Sequence, residues 1–152
     1  MPSVAFLEAK DIGREFELLM IPELEQVGFR VIDTDRWSYR LKKGADVLVE
    51  YKGERCGVEF KLDRLSEKTG NVVIDLDSLK KSTSGIWIFG LPQGNQIHTY
   101  SMRTTDLGPF ALKWPIKRPM GEFRQLSSLV PKATFLGLDF VRKFKTIEIT
   151  PA

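Results

Sequence analysis

The stretch GADVLVEYKGERCGVEFKLD, residues 44–63, decides the fold, because it holds two runs of alternating apolar and polar residues around Lys52-Gly53. Alternation with a period of two is typical of a strand with one buried face, and a short turn with glycine joins two such strands into a hairpin. We predict strands over 46–51 and 55–62. Cys56, Val58, Phe60 and Leu62 share the apolar face, so Glu59 and Lys61 are expected to point together away from the core.

The turn also predicts which residues face each other across the hairpin. If Tyr51 pairs with Glu54, Asp46 lies opposite Glu59, with Cβ atoms about 5 Å apart. Two carboxylates this close repel each other unless a cation lies between them. Lys61 relieves part of the repulsion, and Mg²⁺ or Mn²⁺, which prefer oxygen ligands, would relieve more. The alternative is a solvated sheet surface, since Glu-x-Lys is common on exposed strands.

Outward from the hairpin, the pattern predicts one α/β domain with a mixed sheet. Helical periodicity covers 8–27, with a kink or break at Pro22 and a C-cap at Gly28. The run GIWIFGL, 85–91, is typical of a strand buried on both faces. The other expected elements are strands at 29–41 (broken near 33–35), 72–76, 96–102 and within 140–149, helical segments at 78–82 and 121–129, and loops at 65–71 and 107–119.

Composition narrows the class of protein. The 152 residues are 42% hydrophobic and 28% charged, which suits one globular domain. The net charge of +3 permits an anionic partner without requiring one. Cys56 is the only cysteine, which excludes an intramolecular disulfide and a cysteine-based zinc cluster and fits a reducing, cytoplasmic setting. The first residues become acidic too early for a signal peptide and no apolar run approaches about 20 residues, so we expect neither a signal peptide nor a membrane partner.

Asp46 and Glu59-Phe60-Lys61 together resemble the motif of the PD-(D/E)XK nuclease superfamily. That family places an Asp on one hairpin strand and Glu-x-Lys on the next, and the proline that often precedes the Asp is replaced here by Ala45. The resemblance covers about 12–90. It implies a restriction-endonuclease-like core, a mixed β-sheet flanked by helices, over about 8–102, followed by a C-terminal extension over about 103–152 of the same domain.

The opening helix is similar to that of archaeal Holliday-junction resolvases, which carry Gly-x-x-x-Glu and end in Gly-Phe. The matching residues are Gly13 to Glu17 and Gly28-Phe29. This likeness implies that Glu17 is the helix acid of the site, with Glu15 as the alternative. The run from Lys61 through Thr69-Gly70-Asn71 to Asp75 also resembles phage and bacterial nuclease-like proteins, so an intracellular protein of phage origin is among the expectations.

The resemblance implies a Mg²⁺-dependent DNA endonuclease, with branched DNA such as a Holliday junction as one substrate and a homodimer if that substrate is right. Asp46, Glu59 and the Phe60 carbonyl would bind one or two Mg²⁺ (or Mn²⁺) ions. Lys61 would orient or deprotonate the attacking water, and Glu17 would complete the site, directly or through a water. The expected products carry 5′-phosphate ends.

A nuclease must also hold its DNA, and basic residues flank the hairpin on both sides. The candidate nucleic-acid contacts are Lys42, Lys43, Arg64, Lys68, Thr69, Asn71, Lys80 and Lys81. The alternative function is a nucleic-acid-binding module with the same fold that does not cut. Trp87 and His98 are expected to be structural, whereas Asp75 is expected either to join the metal site or to cap a helix.

Overall fold

The computed structural model describes residues 12–33, 46–115, 117–120 and 125–149. It is an α/β fold with a mixed sheet flanked by helices. The elements are, in chain order, α1 (Ile12–Gln26), β1 (Arg30–Asp33), β2 (Val47–Tyr51), β3 (Glu54–Leu62), α2 (Ser66–Thr69), β4 (Asn71–Asp75), α3 (Leu76–Lys81), β5 (Ile86–Gln93), β6 (Gln96–Arg103), α4 (Thr104–Lys113), β7 (Lys117–Met120), β8 (Gln125–Pro131), α5 (Lys132–Leu136) and β9 (Arg142–Glu148).

Two sheets organise these elements. The larger one has six strands in the order β1-β2-β3-β5-β6-β9, and the smaller one has the order β4-β8-β7. All pairs in the larger sheet are antiparallel except β3 and β5, which run parallel. A parallel pair needs a crossover connection, and here α2, β4 and α3 supply it. The crossover therefore brings α3 over the strand that carries Glu59 and Lys61.

Each face of the larger sheet is covered by its own hydrophobic core. On one face Phe16, Met20 and Leu24 of α1 pack against β2, β3 and β5; we call this the α1 core. On the other face Trp87 and Phe89 of β5 pack against the smaller sheet and against α3, α4 and α5; we call this the second core. Strand β5 is buried on both sides, as its continuous apolar sequence predicts.

Helix α1 ends as its sequence predicts but does not break at its proline. Gly28 has φ 101°, its N–H donates to Glu25, and the Phe29 N–H donates to Leu24 at 3.1 Å, which together form a Schellman cap. The helix runs through Pro22. Pro22 removes the hydrogen bond to the Leu18 carbonyl, and because both residues are exposed, water can satisfy that carbonyl.

The C-terminal third departs most from the sequence-based expectations. Residues 104–113 form α4 despite Pro109, although 107–113 belong to the expected loop, because Leu107 and Ala111 bury one face in the second core while Pro109 is exposed. Residues 125–131 form β8, which pairs with β4, although 125–129 belong to the expected helix. Strand β9, within the range predicted for a final strand, pairs with β6. The region set apart as an extension thus contributes strands to both sheets.

Gly90 allows α1 to lie close to the sheet. A Cβ atom at Gly90 would lie 2.6 Å from Cζ of Phe16 and 3.0 Å from a methyl carbon of Leu62. Phe16 is fully buried and also packs edge-on against Phe60, so its ring has little room to move away. Because Glu17 follows Phe16 directly, this close approach also determines how near Glu17 lies to the hairpin.

We therefore predict that Gly90→Ala lowers the free energy of unfolding by about 1–3 kcal/mol, the usual cost of overpacking a core. Urea denaturation measures the change. Gly13→Ala is the matched control, because a Cβ atom there has nothing within 4 Å and alanine favours a helix. Equal destabilisation by both substitutions would show that the contact with Phe16 is not the cause.

Among the residues that the structure describes, no helix is both long and apolar enough to cross a membrane.

Candidate functional site

The hairpin has the predicted register. Tyr51 pairs with Glu54 and Val47 with Val58, and the side chain of Asp46, the residue before Val47, forms a hydrogen bond with the side chain of Glu59. The turn residues Lys52 and Gly53 have φ of 52° and 82°, the left-handed pair expected of a tight two-residue hairpin turn. The Asp46 N–H donates to the Val58 carbonyl at 3.0 Å, although Val58 is already the partner of Val47, so two successive residues oppose Val58 and the strand bulges at Asp46.

Asp46 is held by the backbone of β3. Its Oδ2 accepts a hydrogen bond of 2.8 Å from the Phe60 N–H. This bond directs the Asp46 carboxylate toward the segment Glu59-Phe60-Lys61 instead of toward bulk water. Asp46, Glu59 and the peptide unit of Phe60, the three ligands expected from the sequence, are therefore neighbours in space.

Glu59 is the most perturbed titratable group of the site. Its pKa is raised from 4.5 to about 8. Burial is the largest cause, and the negative charge and hydrogen bonding of Asp46 come next. Lys61 acts in the opposite direction, and Glu17 adds a further rise. The ammonium group of Lys61 therefore offsets only part of the negative charge that Asp46, Glu59 and Glu17 bring together.

Glu17 of α1 contributes the third carboxylate. Its side chain is only 9% exposed, and Oε2 pairs with Nη1 of Arg14 at 3.2 Å, one helical turn away. Glu15 is exposed, and its charge is not among the causes that shift the Glu59 pKa. The structure thus places Glu17 and not Glu15 beside the hairpin acids.

Lys61 lies at the edge of the second core. Its Nζ is 3.9 Å from Oε1 of Glu59, 3.4 Å from Oγ of Ser78 and 5.6 Å from the centre of the Trp87 ring. As the sequence predicts, Glu59 and Lys61 point away from the core that holds Val58 and Phe60. Their own face of the sheet is also covered, because they share it with Trp87 and Phe89, their partners in the parallel register. Lys61 still keeps 34% of its side chain exposed.

Two further aspartates have structural partners. Asp63 accepts hydrogen bonds from the Val73 N–H at 2.8 Å and from the Leu65 N–H at 3.3 Å, so it anchors the start of the crossover. Asp75 caps α3 by accepting from the N–H groups of Asp77 and Ser78. Of the two roles that the sequence left open for Asp75, the structure shows the helix cap.

The candidate DNA contacts lie mainly on the crossover. Arg64, Lys68, Lys80 and Lys81 are exposed. The Thr69 hydroxyl donates to the Leu65 carbonyl at 3.0 Å and accepts from the Asn71 N–H at 3.2 Å, so it also closes the turn after α2. Lys42 and Lys43 lie outside the described residues.

The residues at the hairpin suit a hard divalent cation in their chemistry. Asp46 and Glu59 supply facing carboxylate oxygens, and the raised pKa of Glu59 marks a place where added positive charge is favourable. Over the described ranges, no three Asp, Glu, His or Cys side chains form a preassembled ligand set. Mg²⁺ commonly takes one or two carboxylates and keeps several waters, so two carboxylates and the Phe60 carbonyl are a sufficient set.

Ser78 is the neighbour of Lys61 that sequence reasoning missed. It lies 17 residues after Lys61, and only the crossover brings it there. The expectation of a helical segment near 78–82 was a signal, but nothing in the local sequence indicates which face of that helix meets β3.

His98 lies on β6 and contacts Nζ of Lys143 at 2.7 Å, and no contact between described residues joins it to the carboxylates of the hairpin.

Comparison with protein-family models and with curated proteins gives no match to this chain.

Proposed function

We propose that the chain is a divalent-metal-dependent DNA endonuclease of the PD-(D/E)XK type, with a restriction-endonuclease-like core. The observation that carries this proposal is the pairing of Asp46 with Glu59 beside Lys61, where the Glu59 pKa rises to about 8. On a solvated sheet surface one carboxylate would not be buried against another, because no interaction would compensate for the desolvation of the charge and the repulsion between the two groups. Perturbed groups of this kind cluster at functional sites.

The arrangement of elements agrees with this proposal. A helix, an antiparallel hairpin and a crossover to a parallel strand follow one another in α1, β2, β3 and β5. The acids come from the hairpin and α1, whereas the amine comes from the hairpin alone. This is the distribution that the resemblance to PD-(D/E)XK nucleases implies for Glu17, Asp46, Glu59 and Lys61.

Each residue has a definite chemical task. Asp46, Glu59 and the Phe60 carbonyl would hold Mg²⁺ or Mn²⁺, which would supply a water of lowered pKa and positive charge to offset that of the scissile phosphate. Lys61 orients that water and stabilises the negative charge that develops on the phosphate oxygens. Glu17 positions further water at the inner side of the site. The Phe60–Asp46 hydrogen bond fixes Oδ2 of Asp46, and the Asp46 carboxylate also forms a side-chain hydrogen bond with Glu59, which a bound cation would replace.

The direct test is cleavage of supercoiled plasmid, linear duplex, flap and four-way-junction DNA with Mg²⁺, Mn²⁺ or Ca²⁺. We expect cleavage with Mg²⁺ or Mn²⁺, little with Ca²⁺ and none with EDTA, and ends that a ligase can seal because they carry 5′-phosphates. Comparison of the four substrates shows whether branched DNA is preferred, and a symmetric pair of cuts at a junction would indicate a homodimer. Retention of DNA in a gel without cleavage under any metal would favour the non-catalytic binding module instead.

The exposed lysines of the crossover provide a test of the DNA path. Lys68→Ala and Lys80→Ala should each weaken DNA binding, because each removes a charge that faces the phosphate backbone. We expect the slope of log K against log salt to fall by about 0.9 per lysine. Fluorescence anisotropy with Ca²⁺ at several salt concentrations measures this slope.

The matched control is Lys52→Asn, which removes one positive charge at the far end of the hairpin and suits the left-handed φ of 52° at that turn position. Lys52→Asn should leave the slope unchanged. A slope that falls equally in all three variants would indicate that only net charge matters and that the crossover is not the DNA path.

A further inference from the structure

The hydroxyl of Ser78 lies between the Lys61 ammonium group and the Asp75 carboxylate. Ser78 Oγ donates to Oδ2 of Asp75 at 2.9 Å and accepts from Nζ of Lys61 at 3.4 Å. A hydroxyl has one proton, and because that proton is directed to Asp75, the oxygen lone pairs are left to face Lys61. The two hydrogen bonds therefore run in the same direction, from the Lys61 ammonium group to the Ser78 hydroxyl and from this hydroxyl to the Asp75 carboxylate, with a charged group at each end.

The local fold holds Ser78 firmly. Asp75 has extended backbone geometry and caps α3 by accepting from the Asp77 N–H at 3.0 Å and the Ser78 N–H at 3.1 Å. Leu76 and Leu79 anchor the same helix in the second core. Asp75 thus binds both the backbone and the side chain of Ser78, so the hydroxyl is fixed before any substrate arrives.

Lys61 has few other restraints. Glu59 is 3.9 Å from its Nζ, at the outer limit of an ion pair, and the Trp87 ring is 5.6 Å away. A lysine side chain has four rotatable carbons and loses considerable rotamer entropy when it is held in one place. Without Ser78, the ammonium group would relax toward Glu59 or toward solvent, because both are within its reach.

We propose that Ser78 is a positioning residue that, backed by Asp75, holds the Lys61 ammonium group at the place where it acts. The predicted effect of Ser78 on the cleavage rate rests on the proposed nuclease function. The position of the Lys61 ammonium group does not, and it can be measured without DNA. Ser78 does not touch the reacting atoms. It determines the direction from which Lys61 approaches the hairpin acids.

The kinetic test compares Ser78→Ala with Ser78→Thr. We expect Ser78→Ala to lower kcat about tenfold with KM and DNA affinity unchanged, because a misplaced amine affects the transition state and not DNA binding. Ser78→Thr, which keeps a hydroxyl, should recover most of the rate. Asp75→Asn should give an intermediate loss, since asparagine still caps the helix while the charged acceptor is gone.

The matched control is Ser82→Ala, the same exchange at the other end of α3, where the hydroxyl accepts from the Ser84 N–H at 3.1 Å. It should leave kcat unchanged. Equal losses of kcat in Ser78→Ala and Ser82→Ala would overturn the proposal, because they would show a general effect of weakening the helix.

A second readout does not depend on cleavage. In ¹⁵N-lysine-labelled protein, the side-chain signal of Lys61, assigned with Lys61→Met, should be resolved because its ammonium group is hydrogen-bonded. In Ser78→Ala we expect this signal to broaden or vanish while the other lysine signals remain. If the wild type cuts no DNA but the Lys61 signal is lost in Ser78→Ala, the nuclease proposal fails, whereas the proposal that Ser78 positions Lys61 is supported. An unchanged Lys61 signal in Ser78→Ala overturns the positioning, whatever the cleavage data show.

Discussion

If the chain is the proposed nuclease, we expect Lys61→Met to lower the rate of Mg²⁺-dependent DNA cleavage by about a thousandfold and to leave DNA affinity within about twofold. The methionine side chain keeps most of the length and the apolar contact with the Trp87 ring but removes the ammonium group that lies 3.9 Å from Glu59. Loss of a group that orients the water and stabilises transition-state charge typically costs two to four orders of magnitude. Single-turnover cleavage measures the rate, and anisotropy with Ca²⁺ measures the affinity.

The same charge removed elsewhere should have little effect on catalysis. Lys52→Asn is the control again, since Lys52 is exposed at the hairpin turn and lies at the opposite end of β2 from Asp46. A thousandfold loss of both affinity and rate in Lys61→Met would show that Lys61 binds DNA and has no separate role in the chemical step. Undiminished cleavage would remove the enzyme proposal altogether.

We expect Glu59→Gln to abolish the proposed metal-dependent cleavage and, at the same time, to make the protein more stable at pH 7. The pKa of Glu59 is about 8 in the folded chain against an ordinary value of 4.5, so the folded state binds the proton more tightly than the unfolded state. By linkage, the free energy of unfolding falls as the pH rises from 4.5 through 8. Glutamine has no charge to bury and avoids that loss. We expect a gain on the order of 1–3 kcal/mol at pH 7, and none below pH 4.5.

Urea denaturation at pH 4, 6 and 8.5 measures this difference, with and without Mg²⁺. The wild type should gain stability from Mg²⁺, and Glu59→Gln should gain much less, because a ligand stabilises only the state that binds it. The matched control is Glu50→Gln on β2, where Arg30 at 2.9 Å and Arg55 at 3.5 Å lower the carboxylate pKa. That substitution should not stabilise the protein. A Glu59→Gln variant that is less stable than the wild type at pH 8.5 would contradict the charge conflict at the hairpin.

The hairpin is the part that its sequence predicts best, since local rules govern it. Alternation defines β2 and β3, and the turn at Lys52-Gly53 sets the register that brings Asp46 close to Glu59. The C-terminal cap of α1 and the double burial of β5 follow from equally local signals.

What could not be predicted depends on contacts distant in sequence. Helix α4 could not be predicted because its sequence contains Pro109, a residue that usually ends a helix. In the structure the hydrogen bond that Pro109 removes would have gone to the Thr105 carbonyl, and because Thr105 is exposed the loss costs little. Strand β8 exists because it completes a sheet with β4, a pairing between residues more than fifty positions apart. The second core and the approach of Ser78 to Lys61 arise from the same crossover, which no short stretch of sequence specifies.

The contact between Phe16 and Gly90 determines at which stage of folding Glu17 joins the two hairpin carboxylates. Glu17 reaches the hairpin only when the neighbouring Phe16 ring has seated over the glycine of β5. A nascent or partly denatured chain can form the β2–β3 hairpin from local signals alone, yet it lacks the helix acid. Under the proposed nuclease function, the complete set of carboxylates would therefore exist only in the fully folded chain, and folding intermediates would be inactive.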